Sequence, residues 1–377
     1  MNQSRVHFSW RDGNRPRFRT GVSLHSHTMH SKETMDFVSR ATARVPWLGA
    51  AIRRQEALYH QNTGCQLNLA HAWWTPPLSP GRAWQLEKSQ IENLLGSDAL
   101  VSLSDHDSIH AGVQLHVLDK MRDCPISVEW TVPYRGTFFH LGIHNLPYMD
   151  ATAIMQSLSE FTREPEEPRL GEMLEWLAAI DEVLIVMNHP CWDEKGIGAA
   201  GHQGRVDQFL SSYGSWIHAL ELNGLRPWKE NQRVVLLARK AGMPLISGGD
   251  RHGLEPNACV NLTNAGTFAE FVGEVRSDGW SDVLFLPQYR EPFRLRILEN
   301  LFQILQDDPQ HSMGWIHWSD RVFYRNHHGV VKSVAEIWGN HPPAVVRHFV
   351  RLMMLFGHSR VRLALRFALA ETEEFAL

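Results

Sequence analysis

The amino-acid sequence predicts an α/β fold, and three observations support this prediction. An apolar strand, a polar cluster and a helix follow one another about seven times, an alternation that favours a parallel sheet. Several strands are apolar throughout, as expected where helices cover both faces of a sheet. The polar clusters follow the carboxyl ends of the strands, which is where an α/β barrel carries its active site.

The individual elements are predicted from hydrophobic periodicity and from turn residues. A hairpin is expected around Gly136, and residues 183–187 form an uninterrupted apolar run. The predicted elements, in chain order, are a strand over 20–24, helices near 48–60 and 83–95, a strand over 99–103, a helix over 110–122, strands over 126–131 and 137–143, a helix over 170–180, strands over 183–187, 217–222 and 244–246, and helices over 293–305 and 344–370.

Two parts of unequal size are predicted. Residues 18–290 carry the strand–helix pattern and would form the barrel, with an insertion over about 40–97 that contains the aromatic and proline-bearing stretch 73–77. This insertion is either a lid or specificity loop, or an ordinary surface excursion. Residues 291–377 are predicted to form a mainly helical C-terminal extension.

The composition of the 377 residues is that of a globular protein, with 43% hydrophobic and 21% charged residues. This excludes a disordered chain, a collagen and a small disulfide scaffold. The net charge of −4 provides no global basic field for nucleic acid. No apolar segment typical of a signal peptide or a membrane span is seen. The cysteines lie at least 59 residues apart without a CxxC pair, so reduced thiols and a cytoplasmic location are expected; they are Cys65, Cys124, Cys191 and Cys259.

Histidine is the unusual component of the sequence, with 22 residues, several of them beside Asp or Glu. His25 and His27 alternate along a strand end and therefore face the same side, and Asp250 and His252 have the same spacing. Glu129 interrupts an apolar strand, where a buried carboxylate needs a cation or a hydrogen-bond network. Any one cluster could be an ordinary core or surface group. Their recurrence at six strand ends predicts a metal site.

With these motifs the chain resembles the PHP family, the polymerase and histidinol phosphatase superfamily of metal-dependent phosphoesterases. The resemblance covers about residues 20–255, and its segments occur in the order found in the family. They are His25-x-His27-x3-Ser31, Ser104-Asp-His106-Asp, Val128-Glu129, His140-Leu-Gly142, Asn188-His189-Pro190 and Gly249-Asp250-x-His252. The resemblance implies a distorted (β/α)7 barrel that holds up to three metal ions.

The resemblance also implies which residues bind each ion. The expected ligands of the first ion are His25, His27, Glu129 and Asp250. Glu129 would bridge to the second ion, whose other ligands would be His140 and His189. The third ion would be bound by His106, His252 and Glu33, with His30 competing with Glu33 for its position. A set of imidazoles and carboxylates without cysteine suits Zn, Mn or Fe rather than Ca or Mg alone.

The predicted activity is hydrolysis of a phosphate ester by attack of metal-bound hydroxide, with a small phosphomonoester as the expected substrate. Candidates to orient water or to protonate the leaving group are Asp105, Asp107 and His30. Arg251, between two expected ligands, either clamps the substrate phosphate or points to solvent, and the clamp is the favoured hypothesis. The residues expected to orient the ligands are Asn188, Glu221 and Asn223.

Other functions remain open from the sequence. The first alternative is a phosphodiesterase or nuclease that acts on nucleic acid. Further alternatives are a non-catalytic, metal-stabilised interaction module and a metal-dependent amide or ester hydrolase. The predicted helix 344–370 carries five arginines and no acid. Packing on the domain or on a second subunit, as a homo-oligomer, therefore competes with binding to nucleic acid or to a membrane.

Overall fold

The computed structural model describes residues 3–11, 17–35, 46–118, 121, 123–307, 317–339, 342–369 and 375. The strands of this part of the chain are β1 (Gln3–Phe8), β2 (Thr20–Ser23), β3 (Glu33–Thr34), β4 (Ala72–Trp74), β5 (Asp98–Val101), β6 (Ile126–Tyr134), β7 (Thr137–Leu146), β8 (Leu184–Met187), β9 (Ala219–Asn223), β10 (Leu245–Gly248), β11 (Cys259–Thr263), β12 (Trp280–Phe285), β13 (Val322–Arg325) and β14 (Val331–Ser333). The α-helices are α1 (Pro46–Thr63), α2 (Pro80–Leu95), α3 (His110–His116), α4 (Ala151–Arg163), α5 (Glu167–Ala178), α6 (Ala199–Tyr213), α7 (Trp228–Ala241), α8 (Phe268–Arg276), α9 (Phe293–Ile304), α10 (Val334–Trp338), α11 (Ala344–Phe356) and α12 (Ser359–Ala368).

Two five-stranded sheets carry the fold. The strand order is β1-β12-β11-β2-β5 in the first sheet and β10-β9-β8-β7-β6 in the second. The pairs β2–β5, β8–β9 and β9–β10 are parallel, as the strand–helix alternation predicts. Strands β6 and β7 are antiparallel because a tight turn joins them, in which Arg135 and Gly136 have φ of 45° and 82°. The α/β class is confirmed, and the sheets are mixed rather than purely parallel.

The two sheets meet at two seams. At one seam Ser26, after β2, bridges to Arg251, after β10. At the other seam His106, after β5, bridges to Glu129 in β6. These are isolated bridges rather than extended ladders, so the strands of the described residues do not close into one continuous barrel.

The hydrophobic core explains why the central strands are so apolar. All four residues of β8 are buried, because helices and neighbouring strands cover both of its faces. The largest core cluster includes Trp130 on β6, Phe161 on α4 and Phe209 on α6. The rings of Trp130 and Phe161 meet edge to face at 5.4 Å between centroids. This packing holds the second sheet as a stable base for the polar residues at the strand ends.

Strand β1 lies before the predicted start of the barrel at residue 18. It pairs in parallel with β12 and so extends the first sheet at its outer edge. The sequence analysis did not predict it, because its residues are largely polar. Asp282 on β12 accepts a 2.9 Å bond from Arg5, which shows how polar side chains are satisfied within this pair.

The predicted insertion consists of two structurally different parts. Helix α2 belongs to the core, since Ala83 and Ile91 are fully buried. Strand β4 instead joins a third sheet of order β14-β13-β4-β3. Through the pairing of β4 with β13, residues of the predicted C-terminal extension lie against the insertion.

The single helix predicted over 344–370 is divided into α11 and α12 over its described residues. A Cβ atom on Gly357, between the two helices, would lie 1.9 Å from a ring carbon of Phe302 on α9. Glycine therefore permits a close approach to α9, and it also disfavours continuation of a helix. Within the described ranges, no helix combines the length and the apolar character needed to cross a membrane.

Candidate metal centre

Nine of the side chains singled out in the sequence converge at one end of the two sheets. Their positions follow from strand direction, because each of them lies on a strand or in the segment that follows a strand. They are His25 and His27 after β2, Glu33 on β3, His106 after β5, Glu129 on β6, His140 on β7, His189 after β8, and Asp250 and His252 after β10.

Glu129 occupies the centre of this group and is fully buried. Its Oε2 atom lies 3.0 Å from His25 Nε2, 3.3 Å from His27 Nε2 and 3.2 Å from His106 Nδ1. Its Oε1 atom lies 3.2 Å from His189 Nε2 and 3.5 Å from His140 Nδ1. Each carboxylate oxygen thus faces a different set of imidazoles, which is the arrangement that a bridging ligand requires.

Asp250 completes the group around Oε2 of Glu129. Its Oδ1 atom lies 3.5 Å from His27 Nε2 and 3.8 Å from His25 Nε2. The four side chains expected to bind the first ion are therefore adjacent. Three of them, His25, His27 and Glu129, each offer a ligand atom within 4.8 Å of the others.

A further group forms around Glu33. Its Oε2 atom lies 3.2 Å from His252 Nε2 and 3.4 Å from His106 Nε2. Together with His27 these residues form a second group whose ligand atoms lie within 4.8 Å of one another. His30, the competing candidate, instead places Nε2 3.1 Å from Oε1 of Gln114. The geometry brings Glu33 rather than His30 to the third position.

The donor set fits divalent transition-metal ions. His25 Nε2, His27 Nε2 and Glu129 Oε2 are buried and have no hydrogen-bond partner among the described residues. Buried polar atoms without partners are rare and costly, so three that converge on one point indicate a place that fits a cation. Imidazole nitrogens and carboxylate oxygens are ligands that Zn, Mn and Fe accept.

Two of these groups, Glu129 and His27, are held in the forms that bind metals. Burial would raise the pKa of Glu129, but the neighbouring imidazoles outweigh burial and hold that pKa well below its usual range. Burial lowers the pKa of His27 to about 3, and the charge of His252 acts in the same direction. Glu129 is therefore an anion and His27 a neutral imidazole with a free lone pair, the forms in which both bind metals. At His25 and His106 burial would lower the pKa, but the neighbouring carboxylates outweigh burial and raise the pKa, so a metal would displace a proton from these two rings.

Hydrogen bonds from neighbouring residues orient the central side chains. Glu221 contacts His25 Nδ1 at 2.5 Å through Oε1 and accepts a 2.8 Å bond from the backbone N–H of His189 through Oε2. A proton on Nδ1 of His25 leaves Nε2 available as a ligand atom. A Cβ on Gly248 would lie 1.6 Å from Glu221 Oε1, so only glycine admits this carboxylate.

Two asparagines extend this support. Asn188 donates a 2.9 Å bond to Glu129 Oε1. Asn223 donates to Glu221 Oε2 at 3.0 Å and to Asp250 Oδ2 at 3.3 Å. Asn188, Glu221 and Asn223 thus lie in direct contact with the residues that the sequence analysis expected them to orient.

The backbone is strained at three positions of the cluster. His25, His189 and Asp250 have φ of 61°, 30° and 57°, in the left-handed region that non-glycine residues seldom adopt. Such conformations cost on the order of 1–3 kcal/mol each. A 2.7 Å bond from the N–H of Asp250 to the carbonyl of His25 links two of them across the seam between the sheets.

The structure does not support Arg251 as a phosphate clamp. The side chain is buried, and its Nε donates to Glu87 Oε1 at 3.0 Å. Its terminal nitrogens donate to the backbone carbonyls of Gly253 at 3.0 Å and His27 at 3.1 Å. These partners hold the Arg251 side chain in the interior, against Glu87 on α2 and away from the group formed by Asp250 and His252.

The three residues proposed to orient water or to protonate the leaving group are not among the nine side chains of the cluster. Asp105 is buried and accepts a 2.8 Å bond from the hydroxyl of Thr28, and burial raises its pKa to about 7. Asp107 accepts a 2.9 Å bond from the backbone N–H of Thr131. These bonds hold the loops that carry the ligands. His30, bound to Gln114, borders the cluster on the side of α3.

Arg226 and Trp192 are site residues that the sequence analysis missed. The Arg226 guanidinium lies 3.5 Å above the Trp192 ring and 3.8 Å from Asp250 Oδ2. The Trp192 ring in turn packs edge to face on His189, at 5.0 Å between centroids. The only signal for Arg226 was its place three residues after Asn223, in the loop that follows a strand end.

No protein-family model matches the chain, and no curated protein matches it. Solved structures do resemble it, among them three at 12–15% sequence identity.

PsfC from Pseudomonas syringae has 15% identity and a TM-score of 0.39, with 75% of this chain and 97% of that chain covered. An amidohydrolase from Chromobacterium violaceum, with bound sulfate and no metal, has 14% identity and a TM-score of 0.35, with 47% and 83% covered. A protein from Bifidobacterium adolescentis, assigned as a metal-dependent phosphoesterase, has 12% identity and a TM-score of 0.33, with 53% and 91% covered. At this level of similarity, the chemistry of the site rests on its own residues.

Proposed function

We propose that the cluster binds two or three divalent transition-metal ions, Zn, Mn or Fe, and that the protein hydrolyses a phosphate ester. The observation that carries this proposal is the position of Glu129, whose two oxygens face two sets of imidazoles within 3.0–3.5 Å. A carboxylate in this position can join two metal ions. Clusters of two ions are a recurrent device for hydrolysing phosphate esters.

The proposal includes membership of the PHP superfamily and its distorted seven-stranded barrel. In support, strands β2 and β5 of the first sheet and β6 to β10 of the second make seven strands around the cluster. The bridges Ser26–Arg251 and His106–Glu129 link the two sheets at the same end as the cluster. The motifs of the resemblance lie on these strands and on the loops that follow them.

When bound, ions at this site would lower the pKa of water toward neutrality and neutralise the charge of a phosphate. The residues of the chain then have separate tasks. Glu129 would supply ligand atoms from within β6, and His25 and Asp250 would supply them from the segments that follow β2 and β10. Glu221 holds the ring of His25 in the required orientation, and Asn188 does the same for Glu129.

A small phosphomonoester is the proposed substrate class, and Arg226 is the proposed phosphate contact in place of Arg251. The Nε atom of Arg226 is buried without a hydrogen-bond partner among the described residues. Trp192 supports the guanidinium from one face and leaves its edge beside Asp250. A planar guanidinium in this position can bind two phosphate oxygens at once.

The decisive experiment is elemental analysis followed by a hydrolysis screen. Protein purified without chelator is expected to contain at least two equivalents of Zn, Mn or Fe and to release phosphate from one or more phosphomonoesters. His140→Gln should lower both metal content and phosphate release. His60→Gln, at an exposed position on α1, is the matched control and should change neither.

The same screen separates the alternatives. Less than one equivalent of metal, with no gain after reconstitution, would refute the metal centre. Cleavage of single-stranded DNA in preference to every monoester would indicate a nuclease. Turnover of amides or carboxylic esters alone would show a different hydrolase. Metal binding without turnover of any of these substrates would indicate an interaction module.

A further inference from the structure

We propose that helices α11 and α12, here named the C-terminal helix pair, bind the surface of an anionic lipid bilayer. This inference concerns a surface outside the metal centre and does not depend on the proposed hydrolase activity. It rests on the apolar exposure of the pair, on its charge and on the way it is fixed to the rest of the protein.

Large apolar side chains of the pair are exposed. Leu355 on α11 is 59% exposed, and Leu363 and Phe367 on α12 are 57% and 76% exposed. The opposite side of α11 is packed, since Met353 is buried. An exposed apolar surface of this kind marks an interaction site rather than a solvated helix face.

The charge of the same segment is one-sided. Residues 337–369 contain five arginines and no Asp or Glu, although the whole chain has a net charge of −4. Arg347, Arg351 and Arg360 are exposed, and the described residues provide no ion pair for them.

The other two arginines fix the pair to α9 and its preceding turn. Arg366 Nη2 lies 2.9 Å from Glu291 Oε1, and Arg362 forms an ion pair with Glu299. These contacts orient α12 so that Arg362 and Arg366 face the body of the protein. Leu363 and Phe367, four residues apart, then share the outer face with Arg360.

Apolar and basic groups are interleaved on the outer face of the C-terminal helix pair, and this combination indicates which kind of partner binds there. In a two-fold dimer each patch would meet its own copy, so arginines would face arginines. A nucleic acid offers phosphates but no apolar phase for Leu355, Leu363 and Phe367. An anionic bilayer offers both, because apolar side chains enter the acyl boundary while arginines extend to the lipid phosphates.

Three glutamates follow the pair in the sequence, at positions 371, 373 and 374. They precede Phe375, which is buried against the core with ring centroids 5.6 Å from Phe8 and 6.2 Å from Trp228. Phe375 therefore contacts the body of the protein a short distance along the sequence after the helix pair.

Vesicle binding by the full chain tests the proposal. Vesicles of phosphatidylcholine mixed with phosphatidylglycerol should bind the protein, and vesicles of pure phosphatidylcholine should bind it far less. An arginine close to an anionic surface contributes about fivefold in partitioning, or about 1 kcal/mol. Replacing Arg347, Arg351 and Arg360 together by Gln should therefore weaken binding by roughly a hundredfold. Raising salt from about 0.1 M to about 1 M should weaken binding by the wild-type protein, since it shortens the screening length from about 10 Å to about 3 Å.

Variants distinguish this surface from others. Arg163→Gln and Arg239→Gln remove exposed arginines from α4 and α7 and should leave vesicle binding unchanged. Phe367→Ser should weaken binding without loss of helical circular dichroism, because Phe367 is largely exposed. Equal binding to neutral and anionic vesicles, or none to either, would overturn the proposal. So would a dimer in sedimentation analysis that Phe367→Ser dissociates, or tight binding of an oligonucleotide by the same arginines.

Discussion

Replacing Arg251 by Met should destabilise the fold. Met keeps most of the apolar length of the side chain and removes the guanidinium. The change leaves the carboxylate of Glu87 buried without its cation, and it removes the donors to the carbonyls of His27 and Gly253. Both losses fall at the seam between the two sheets.

The expected loss of stability follows from the burial of the ion pair between Arg251 and Glu87. Breaking a buried ion pair by removing one partner costs about 3–5 kcal/mol. The entropy of unfolding is about 2.1 cal/mol/K per residue, so 1 kcal/mol corresponds to roughly 1.3 °C for 377 residues. The melting temperature should therefore fall by roughly 4–7 °C. Glu87 keeps bonds from Ser23 at 2.9 Å and from the N–H of Asn257 at 3.1 Å, which limits the loss.

Acidic pH should reduce the destabilisation that Arg251→Met causes. Burial raises the pKa of Glu87 above its usual value of 4.5, and the charge of Arg251 opposes that shift. Without Arg251 the carboxyl takes up a proton more readily. The destabilisation of Arg251→Met should therefore be smaller at pH 5 than at pH 8.

Urea unfolding of the metal-loaded and the metal-free protein measures this prediction. Arg239→Met, at an exposed position on α7, is the matched control. The double variant Glu87→Gln with Arg251→Met should recover part of the loss, because no uncompensated charge remains. Unchanged stability together with a large loss in kcat/KM for phosphomonoesters would refute the structural role and restore the clamp hypothesis.

Three further predictions concern Glu129 and Arg226 at the metal centre and Glu299 on α9. Glu129→Gln should lower metal content by more than any single histidine substitution, because one change removes a ligand from two positions; normal metal content with full activity would contradict bridging. Arg226→Ala should lower kcat/KM for phosphomonoesters by on the order of ten- to a hundredfold, the value of one or two charge-assisted bonds, with metal content unchanged. Arg226→Lys should recover only part, and an unaffected kcat/KM in Arg226→Ala would remove that residue from the proposal. Glu299 has its pKa raised from 4.5 to about 7 by burial, against the charge of Arg362. The folded state therefore holds a proton that the unfolded state releases, so this group favours folding below pH 4.5 and loses that effect as pH rises through 7. Glu299→Gln should flatten this dependence in thermal unfolding between pH 5 and pH 8, and an unaltered profile would show that another group causes it.

The convergence of the nine side chains could be predicted because it follows from strand direction. His25, His106, His189 and Asp250 each follow an apolar run, and carboxyl ends of neighbouring strands meet at one end of a sheet. The composition of the cluster and its place were therefore visible in the sequence. Its role in metal binding stays a prediction.

The buried pair of Arg251 and Glu87 could not be predicted, for a different physical reason. Arg251 lies between two expected ligands in sequence, but its side chain is directed into the interior by its bond to Glu87, next to the left-handed backbone of Asp250. Glu87 precedes Lys88 on a helix with an ordinary surface pattern, and nothing local reveals that its face is buried. The pair is formed by residues 164 positions apart, and this contact depends on packing that periodicity does not describe.

The third sheet was missed for a related reason. Strands β3, β4, β13 and β14 are two to four residues long, too short for an alternating pattern to be recognised. Their pairing joins residues distant in the chain, as Trp74 pairs with Val322. Short strands of this kind are defined by their partners rather than by their own residues.

The pairing of β3, β4 and β13 has a consequence for the folding of the protein during its synthesis on the ribosome. Glu33 pairs with Trp74, and Trp74 pairs with Val322, about 250 residues later. At elongation rates of about 5–20 residues per second, Glu33 waits roughly 15–60 s for the strand that completes its support. The nascent chain can assemble the parts of the cluster built by β2, β5 and β6 well before that. The surroundings of Glu33 are therefore the last part of the cluster to be completed during synthesis.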